Sequence, residues 1–479
     1  MKSLDDIKYI NSEEEFDQAL ELMQQSNFLI NLEGKAFVLV VENNGKIILT
    51  EPQSFKLLYK YLKYTTPIIN TTRFLTKYVS YEFLESPKTK RLNELVFDPK
   101  LPPGVNGNKY NMWSGFKYKP KWGETNLFHY LIDVNCNGDA EAAEYFLKYC
   151  ALAVQKPWVN PRTAIAIIGD QGSGKGTLIN DTILKLTENS VSLKDLKPIT
   201  GEFNNILKDA FFVCLDECSF GGDIKEANLL KTFISEDRRL INEKYKGLYT
   251  VDSYTKTFIL SNNDYIVNVE ETDRRYVVLR ANNKLRGKFK WFANYQKWLN
   301  NGGYEAIMNY LLYQVDITDF NPLDIPKTEE KVELQLRSAD LPTKFIRELL
   351  EGMINFSDDM YKNNRLYKKP LYEIFVDYCK RYHPKAYIPS IHDLNKVMTK
   401  AFQYDNDRPG WRQSWKDREG YYYLMPSIED YQEKFAKNIV GVDDYKKIFT
   451  NQKKEIKVVE QEQVEEVIED IFYKDKKAN

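Results

Sequence analysis

Short runs of apolar residues bounded by polar ones punctuate the middle of the chain. Ile165–Ile168, Phe211–Leu215, Phe258–Leu260 and Tyr276–Leu279 each read as a strand. Nearer the start, Phe37–Val41 and Ile47–Leu49 flank Asn43-Asn44-Gly45, the pattern of a β-hairpin, and Ser12 stands where it would cap a helix beginning at Glu13. Towards the end the period changes. Leu371–Cys379 has helical spacing, Ser390–Met398 reads as a second, capped helix, and Gly420–Leu424 follows as part of a basic hairpin. Val464, Val467, Ile468, Ile471 and Phe472 recur at helical spacing between glutamates, which suits a partner-binding helix or a packed C-terminal one.

The residues at the strand ends carry the chemistry. Ile165–Ile168 runs into Gly169-Asp170-Gln171-Gly172-Ser173-Gly174-Lys175-Gly176-Thr177, which opens into the helix-like Leu178-Ile179-Asn180. Glycines let backbone N–H groups turn inward around a phosphate chain, a helix N-terminus adds a positive dipole end, and Lys175 adds a mobile cation. Strand, turn and helix in that order read as a cradle for the phosphates of a nucleoside triphosphate. Phe211–Leu215 ends in Asp216-Glu217; in this pattern the first acid holds Mg²⁺, often through water, and the second polarises the attacking water. Thr257–Leu260 ends in Ser261-Asn262-Asn263. Alone this is a common turn, but after the two preceding strands Asn262, with Asn263 second, is the expected sensor of the γ-phosphate. Asp273-Arg274-Arg275 enters the next strand. The arginines are either surface residues bonded to Asp273 and Glu271, or an arginine finger for a neighbouring nucleotide.

This order, from Gly169 to Arg275, resembles the superfamily 3 helicases, the ring-forming AAA+ motors of viruses, phages and mobile elements. It is most similar to the helicase part of phage-type primase-helicases, including those related to poxvirus replicative helicases. The likeness extends to Asn111-Met112-Trp113-Ser114-Gly115-Phe116, Asn137-Gly138-Asp139 through Lys156-Pro157, Thr200-Gly201-Glu202-Phe203-Asn204, and Leu230 through Gly247. The resemblance implies an α/β fold: a P-loop AAA+ core with a parallel sheet, a small N-terminal α/β module and a C-terminal winged-helix-like domain. It implies that Lys175 contacts the β- and γ-phosphates, Asp216 organises Mg²⁺, Glu217 activates water, Asn262 senses the γ-phosphate, and Arg274 or Arg275 reaches the next subunit's nucleotide. Lys244 or Lys246 would lie on a hairpin facing a central channel and touch DNA. The implied assembly is a homohexamer that draws single-stranded DNA from a fork, 3′ to 5′, with a replication initiator or primase as further partners.

One departure concerns the metal. The common loop has Ser or Thr directly after its lysine, where the hydroxyl binds Mg²⁺; here Gly176 stands there and Thr177 follows. Thr177 then serves Mg²⁺ or an α-phosphate, with water and Asp216 holding the metal. Gly-Ser-Gly-Lys-Gly-Thr also resembles adenylate kinase-like loops, so a nucleoside-phosphate kinase is one alternative, and an ATP-switched DNA-binding replication initiator that does not unwind is another. Against the kinase stand the long stretch before Gly169 and the later Asp-Glu, Asn and Arg-Arg signals.

Composition narrows the setting. With 479 residues, 43% hydrophobic and 14% aromatic, the chain suits about three folded domains. A net charge of −1 leaves any DNA binding to local patches. Cys136, Cys150, Cys214, Cys218 and Cys379 are scattered, with no C-x-x-C pair and few histidines, which argues against zinc. No signal peptide or bilayer-spanning stretch is evident, so a host-cytosolic protein is expected. The expected organisation is a module over 1–100, a connector and helical lead-in over 101–160, a motor over 161–320, a DNA-binding domain over 331–440 and a charged tail over 450–479. No room for a primase domain, and no paired acids to hold its metals, is seen in 1–100, so no primase activity is expected. In residues 86–125 lysines alternate with aromatics, a composition that suits either a single strand or packing on the motor. Lys396, Lys400, Arg408, Arg412, Lys416 and Arg418 suit either a grip on duplex DNA through its phosphates or the solvated face of a packing or oligomerisation domain.

Overall fold

The central apolar runs pair into one parallel sheet. In the computed structural model, which describes residues 4–32, 34–42, 47–69, 72–218, 224–243, 247–262, 273–354, 360–363, 365–402, 415–424 and 427–449, its strands are β1 (Ala164–Ile168), β2 (Ser190–Leu193), β3 (Phe212–Asp216), β4 (Lys256–Ser261) and β5 (Tyr276–Arg280). They lie in the order β2-β3-β4-β1-β5. β1, β3 and β4 are buried on both faces, as strands of a covered parallel sheet must be, and so lack polar alternation. Ala164 pairs with Thr257 and Tyr276, and Ile168 with Ser261 and Arg280; Asp216 pairs with Leu260. Chain segments therefore leave β1, β3 and β4 at one common edge. This mixed α/β arrangement is that of a P-loop-like core.

Two apolar layers cover the sheet. Phe128, Leu131, Phe146, Ile179, Tyr295 and Leu311, from helices on either side of it in sequence, pack on one face with Ile165, Ile167 and Phe258. Leu230, Phe233, Ile234 and Leu334 cover the other face with Ala166, Val278 and Ile259. The helix Ala140–Gln155 starts at Asp139, whose carboxylate accepts from the Ala142 N–H, and Asn126–Asn135 packs under the turn after β1.

Before this core, Asn27–Leu32, Lys35–Val41, Ile47–Thr50 and Arg91–Leu92 form a four-stranded sheet, and Ser12 caps the helix Glu13–Ser26. A separate two-stranded hairpin, Lys63–Pro67 with Phe74–Tyr78, stands beside them. In 86–125 the lysine-and-aromatic stretch is not a bare connector. It contains the three-stranded sheet of Glu94–Val96, Gly104–Asn106 and Lys109–Asn111. Phe97, Tyr110 and Trp113 are buried, with the Trp113 ring 4.7 Å from that of Phe211, and Tyr118 stacks on Tyr304 at 4.5 Å; Trp122 is exposed.

After the core, helices Leu341–Leu350, Lys368–Tyr382 and Ile391–Ala401 pack with an antiparallel sheet of Tyr361–Lys362, Arg365–Tyr367, Tyr421–Leu424 and Trp415–Lys416. Ser390 and Asp393 form a reciprocal capping box at Ile391. The helix Glu329–Ser338 belongs to both units: Leu334 lies in the core beneath the parallel sheet, whereas Val332 and Leu336 lie in the C-terminal core. Arg408, Arg412 and the tail from 450 lie outside the described residues. Among the described residues no helix is long and apolar enough to cross a membrane.

Candidate functional site

The glycine turn after β1 is shaped by tight packing. Gly174 has φ +103°, and a Cβ there would stand 2.9 Å from Leu131 Cδ1; one on Gly169 would meet Ala281 at 2.9 Å. Only glycine serves where both backbone sign and space exclude a side chain. The turn delivers Lys175 to the start of a helix, Lys175–Leu178. The Lys175 ammonium donates to the Gly169 carbonyl (2.6 Å), the Asp170 carbonyl (2.9 Å) and Asn262 Oδ1 (3.0 Å). Burial lowers its pKa, opposed by the carboxylates of Glu217, Asp170 and Asp216.

Asn262, just beyond β4, links the lysine to the acids: its Nδ2 donates to Glu217 Oε1. Glu217 sits in the left-handed region at φ +57°, uncommon for a residue with a side chain, and its N–H donates to the Leu260 carbonyl at 2.9 Å. Asp216 accepts from Asn180 Nδ2 at 3.1 Å. Lys175, Asn262, Glu217 and Asp216 thus share one edge of the sheet, held by hydrogen bonds between neighbouring strand ends. Gly172 and Ser173 complete the turn; Asp170 accepts from Asn283 Nδ2 (2.9 Å) and Arg286 Nη1 (3.2 Å). Thr177 is hydrogen-bonded to the Asp181 carboxyl, whose pKa burial raises, and a Cβ on Gly176 would stand 4.0 Å from Asn180 Nδ2.

The arginine pair is elsewhere. Arg275 donates its N–H to Asp273 Oδ1 (2.8 Å), and its carbonyl accepts from the Ala164 N–H at the opposite end of β1. Five residues of strand, about 16 Å, separate that end from the glycine turn. Asp273, its side chain only 2% exposed, lies 3.8 Å from the Lys231 ammonium and 3.9 Å from Arg275 Nη1, and its carbonyl accepts from Lys331 Nζ at 3.0 Å. Arg274 is exposed. Within one chain neither arginine meets the turn. Arg238–Glu243 and Gly247–Asp252 pair as a hairpin; Lys244 and Lys246, and likewise Asn263 and Glu271, lie outside the described residues.

Asn180, Asn283 and Arg286 were not singled out from the sequence. Asn180 stands three residues after Thr177 and four after Gly176, a spacing that puts it on their face of a helix and could have flagged it. For Asn283 and Arg286 no local signal exists, because their approach to Asp170 depends on β5 lying beside β1. The donor set fits a nucleotide with Mg²⁺. Asn180 Oδ1 is buried without a partner beside Asp216, an orphan acceptor suited to a metal-bound water. Among the described residues no three or more His, Cys, Asp or Glu are grouped so that they could hold a metal ion, so a hard cation would rely on Asp216, phosphate oxygens and water, as Mg²⁺ does.

Residues 167–275 match the model of a family described as "Family of unknown function (DUF5906)". Over 232 residues the chain is 32% identical to the DNA primase-polymerase of Nitratiruptor phage NrS-1. The match covers 45% of this chain and 30% of that protein, so it spans under a third of the relative's length. The apo structure of the NrS-1 C terminal region superposes with a TM-score of 0.59 at 18% identity, covering 85% of this chain and 97% of that one. A second form of that region gives a TM-score of 0.55 at 17% identity, with coverage of 90% and 91%. The chain is a distant homologue of that phage protein, and the likeness to the solved structures is one of fold.

Proposed function

We propose that this chain is the ATP-driven DNA helicase motor of a phage replication protein, working as a ring in which each site is completed by an arginine from the neighbouring copy. One observation carries the reading. Lys175, Asn262 and Glu217 form a continuous hydrogen-bonded chain at one edge of the sheet, with Asp216 beside it, while the Arg274–Arg275 pair is fixed at the opposite edge. Arg286 is the guanidinium at the turn in cis, bonded to Asp170, whereas the Arg274–Arg275 pair would reach a turn only when copies stack edge to edge. The strand order β5-β1-β4-β3-β2 and the relationship to a DNA primase-polymerase support the same AAA+ reading.

ATP with Mg²⁺ supplies the γ-phosphoryl group whose hydrolysis drives the cycle. Lys175 turns from the Gly169 and Asp170 carbonyls towards phosphate oxygens, and the N–H groups of Gly172 to Thr177 line the cradle. Asp216, with Asn180 beside it, would hold Mg²⁺ through water, and the ion would supply charge to the phosphate oxygens. Glu217 accepts the proton of the attacking water, and Asn262 holds that carboxylate in line. The C-terminal helices and hairpin form a winged-helix-like unit for duplex DNA, and Lys244 and Lys246 meet the single strand.

The test is ATP hydrolysis with and without single-stranded DNA, together with strand displacement on a fork. Stimulation by the single strand and unwinding are expected. ATP-dependent DNA binding without unwinding would indicate an initiator, and phosphorylation of a mononucleotide would indicate a kinase; either sinks the motor.

A further inference from the structure

The hairpin Lys63–Pro67/Phe74–Tyr78 has one face engaged and one face open. Paired residues of an antiparallel ladder share a face. Tyr64 and Lys77 face inward, where Lys77 bonds Glu13 at 2.9 Å. The pairs Lys63–Tyr78, Thr65–Thr76 and Pro67–Phe74 face outward. Phe74 is 68% exposed, an unusual state for a phenylalanine in a strand. Farther along the same face Tyr78 lies 5.2 Å from Tyr81, itself 43% exposed, and the Lys56 ammonium sits 4.4 Å over the Tyr81 ring. Phe74 and Tyr78 are separated by about 13 Å along the strand. The outward pairs include no acid; Glu13, Asp17 and Glu82 act on Lys77, on the other face. Exposed rings interleaved with ammonium groups are the chemistry that receives unpaired bases and their phosphates.

We propose that this outward face binds single-stranded DNA, with bases stacked on Phe74 and on the Tyr78–Tyr81 pair and phosphates met by Lys63 and Lys56. The choice of DNA rests on the function proposed above.

The experiment uses the full chain and a bromodeoxyuridine-substituted single strand, cross-linked by light and mapped by mass spectrometry. Adducts are expected on Phe74, Tyr78 or Tyr81. Phe74→Ala and Tyr81→Ala should each weaken binding of a labelled oligo-dT strand about tenfold by fluorescence anisotropy. Lys63→Glu should weaken it and flatten its salt dependence. DNA-independent ATP hydrolysis and particle mass should not change. The proposal is overturned by adducts confined to other regions with unaltered affinities, by equal or tighter binding of the RNA strand, or by variants that alter particle mass and leave DNA affinity intact. A protein that hydrolyses ATP but fails these measurements loses only this face. One that passes them yet hydrolyses no ATP loses the motor and keeps the face.

Discussion

At the residue scale the site is a relay of three side chains whose members need one another. Without Asn262, Lys175 would lose its side-chain partner from β4 and Glu217 its donor. Glu217→Gln should bind nucleotide normally, measured with a fluorescent ATP analogue, while hydrolysis falls by two orders of magnitude or more, about the worth of a general base. Normal turnover by that variant would remove Glu217 from the role. Gly174→Ala places a methyl 2.9 Å from Leu131 in a left-handed backbone. It should lower nucleotide affinity at least tenfold and cost about 1–3 kcal/mol of stability; unchanged values would mean the turn tolerates a Cβ. These positions were legible in the sequence because each directly follows an apolar run. Asn180 was within reach of helical spacing, whereas Arg286 was not, since the Asp170–Arg286 contact joins segments that adjoin only through strand order.

At the element scale, fully buried strands announce themselves and half-exposed ones do not. β1, β3, β4 and β5 were legible as unbroken apolar runs. The edge strand β2, Ser-Val-Ser-Leu, was not, because polar and apolar residues alternate over so few positions. The aromatics of 86–125 fitted two roles in the sequence, and the folded chain puts Phe97, Tyr110 and Trp113 in the core. The base of the hairpin Arg238–Glu243/Gly247–Asp252 rests on Arg239, buried against Glu236 (2.6 Å), the Leu207 carbonyl, Ser253 and Thr255. Arg239→Met strands the carboxylate and should destabilise the protein by about 3 kcal/mol in urea unfolding; a loss under 1 kcal/mol would show that Glu236 finds other company. In the helix Glu329–Ser338, burial lowers the Lys331 amine to about 8, with Asp273 opposing the shift and Lys327 adding to it. A lysine with a depressed folded pKa penalises the fold while charged, so relief comes as pH rises from about 8 to its unfolded value. Relative to Lys331→Met, the wild type should therefore gain up to about 3 kcal/mol across that window. A flat difference between the two unfolding curves would contradict the burial.

At the scale of the whole molecule, one copy carries the Lys175–Asn262–Glu217 relay and the Arg274–Arg275 pair at opposite edges of its sheet, and in the proposed ring the two would meet across neighbouring copies. Mixing wild-type protein with Arg275→Ala or Arg274→Ala copies should therefore depress ATP hydrolysis more steeply than the mutant fraction, because each defective copy also spoils its neighbour. A strictly proportional loss would leave the arginines without a trans role. This division was only half legible: the sequence supplied the arginine pair, but its distance from the glycine turn follows from the parallel register of β1 and β5.

The shared helix carries a mechanical consequence. Val332 and Leu336 grip one body while Leu334, Lys331 and Glu330 grip the other, the last through Arg280 at 2.9 Å. A load on the C-terminal body would reach β5 through this one helix, at Arg280 and at the Asp273 carbonyl just before the strand.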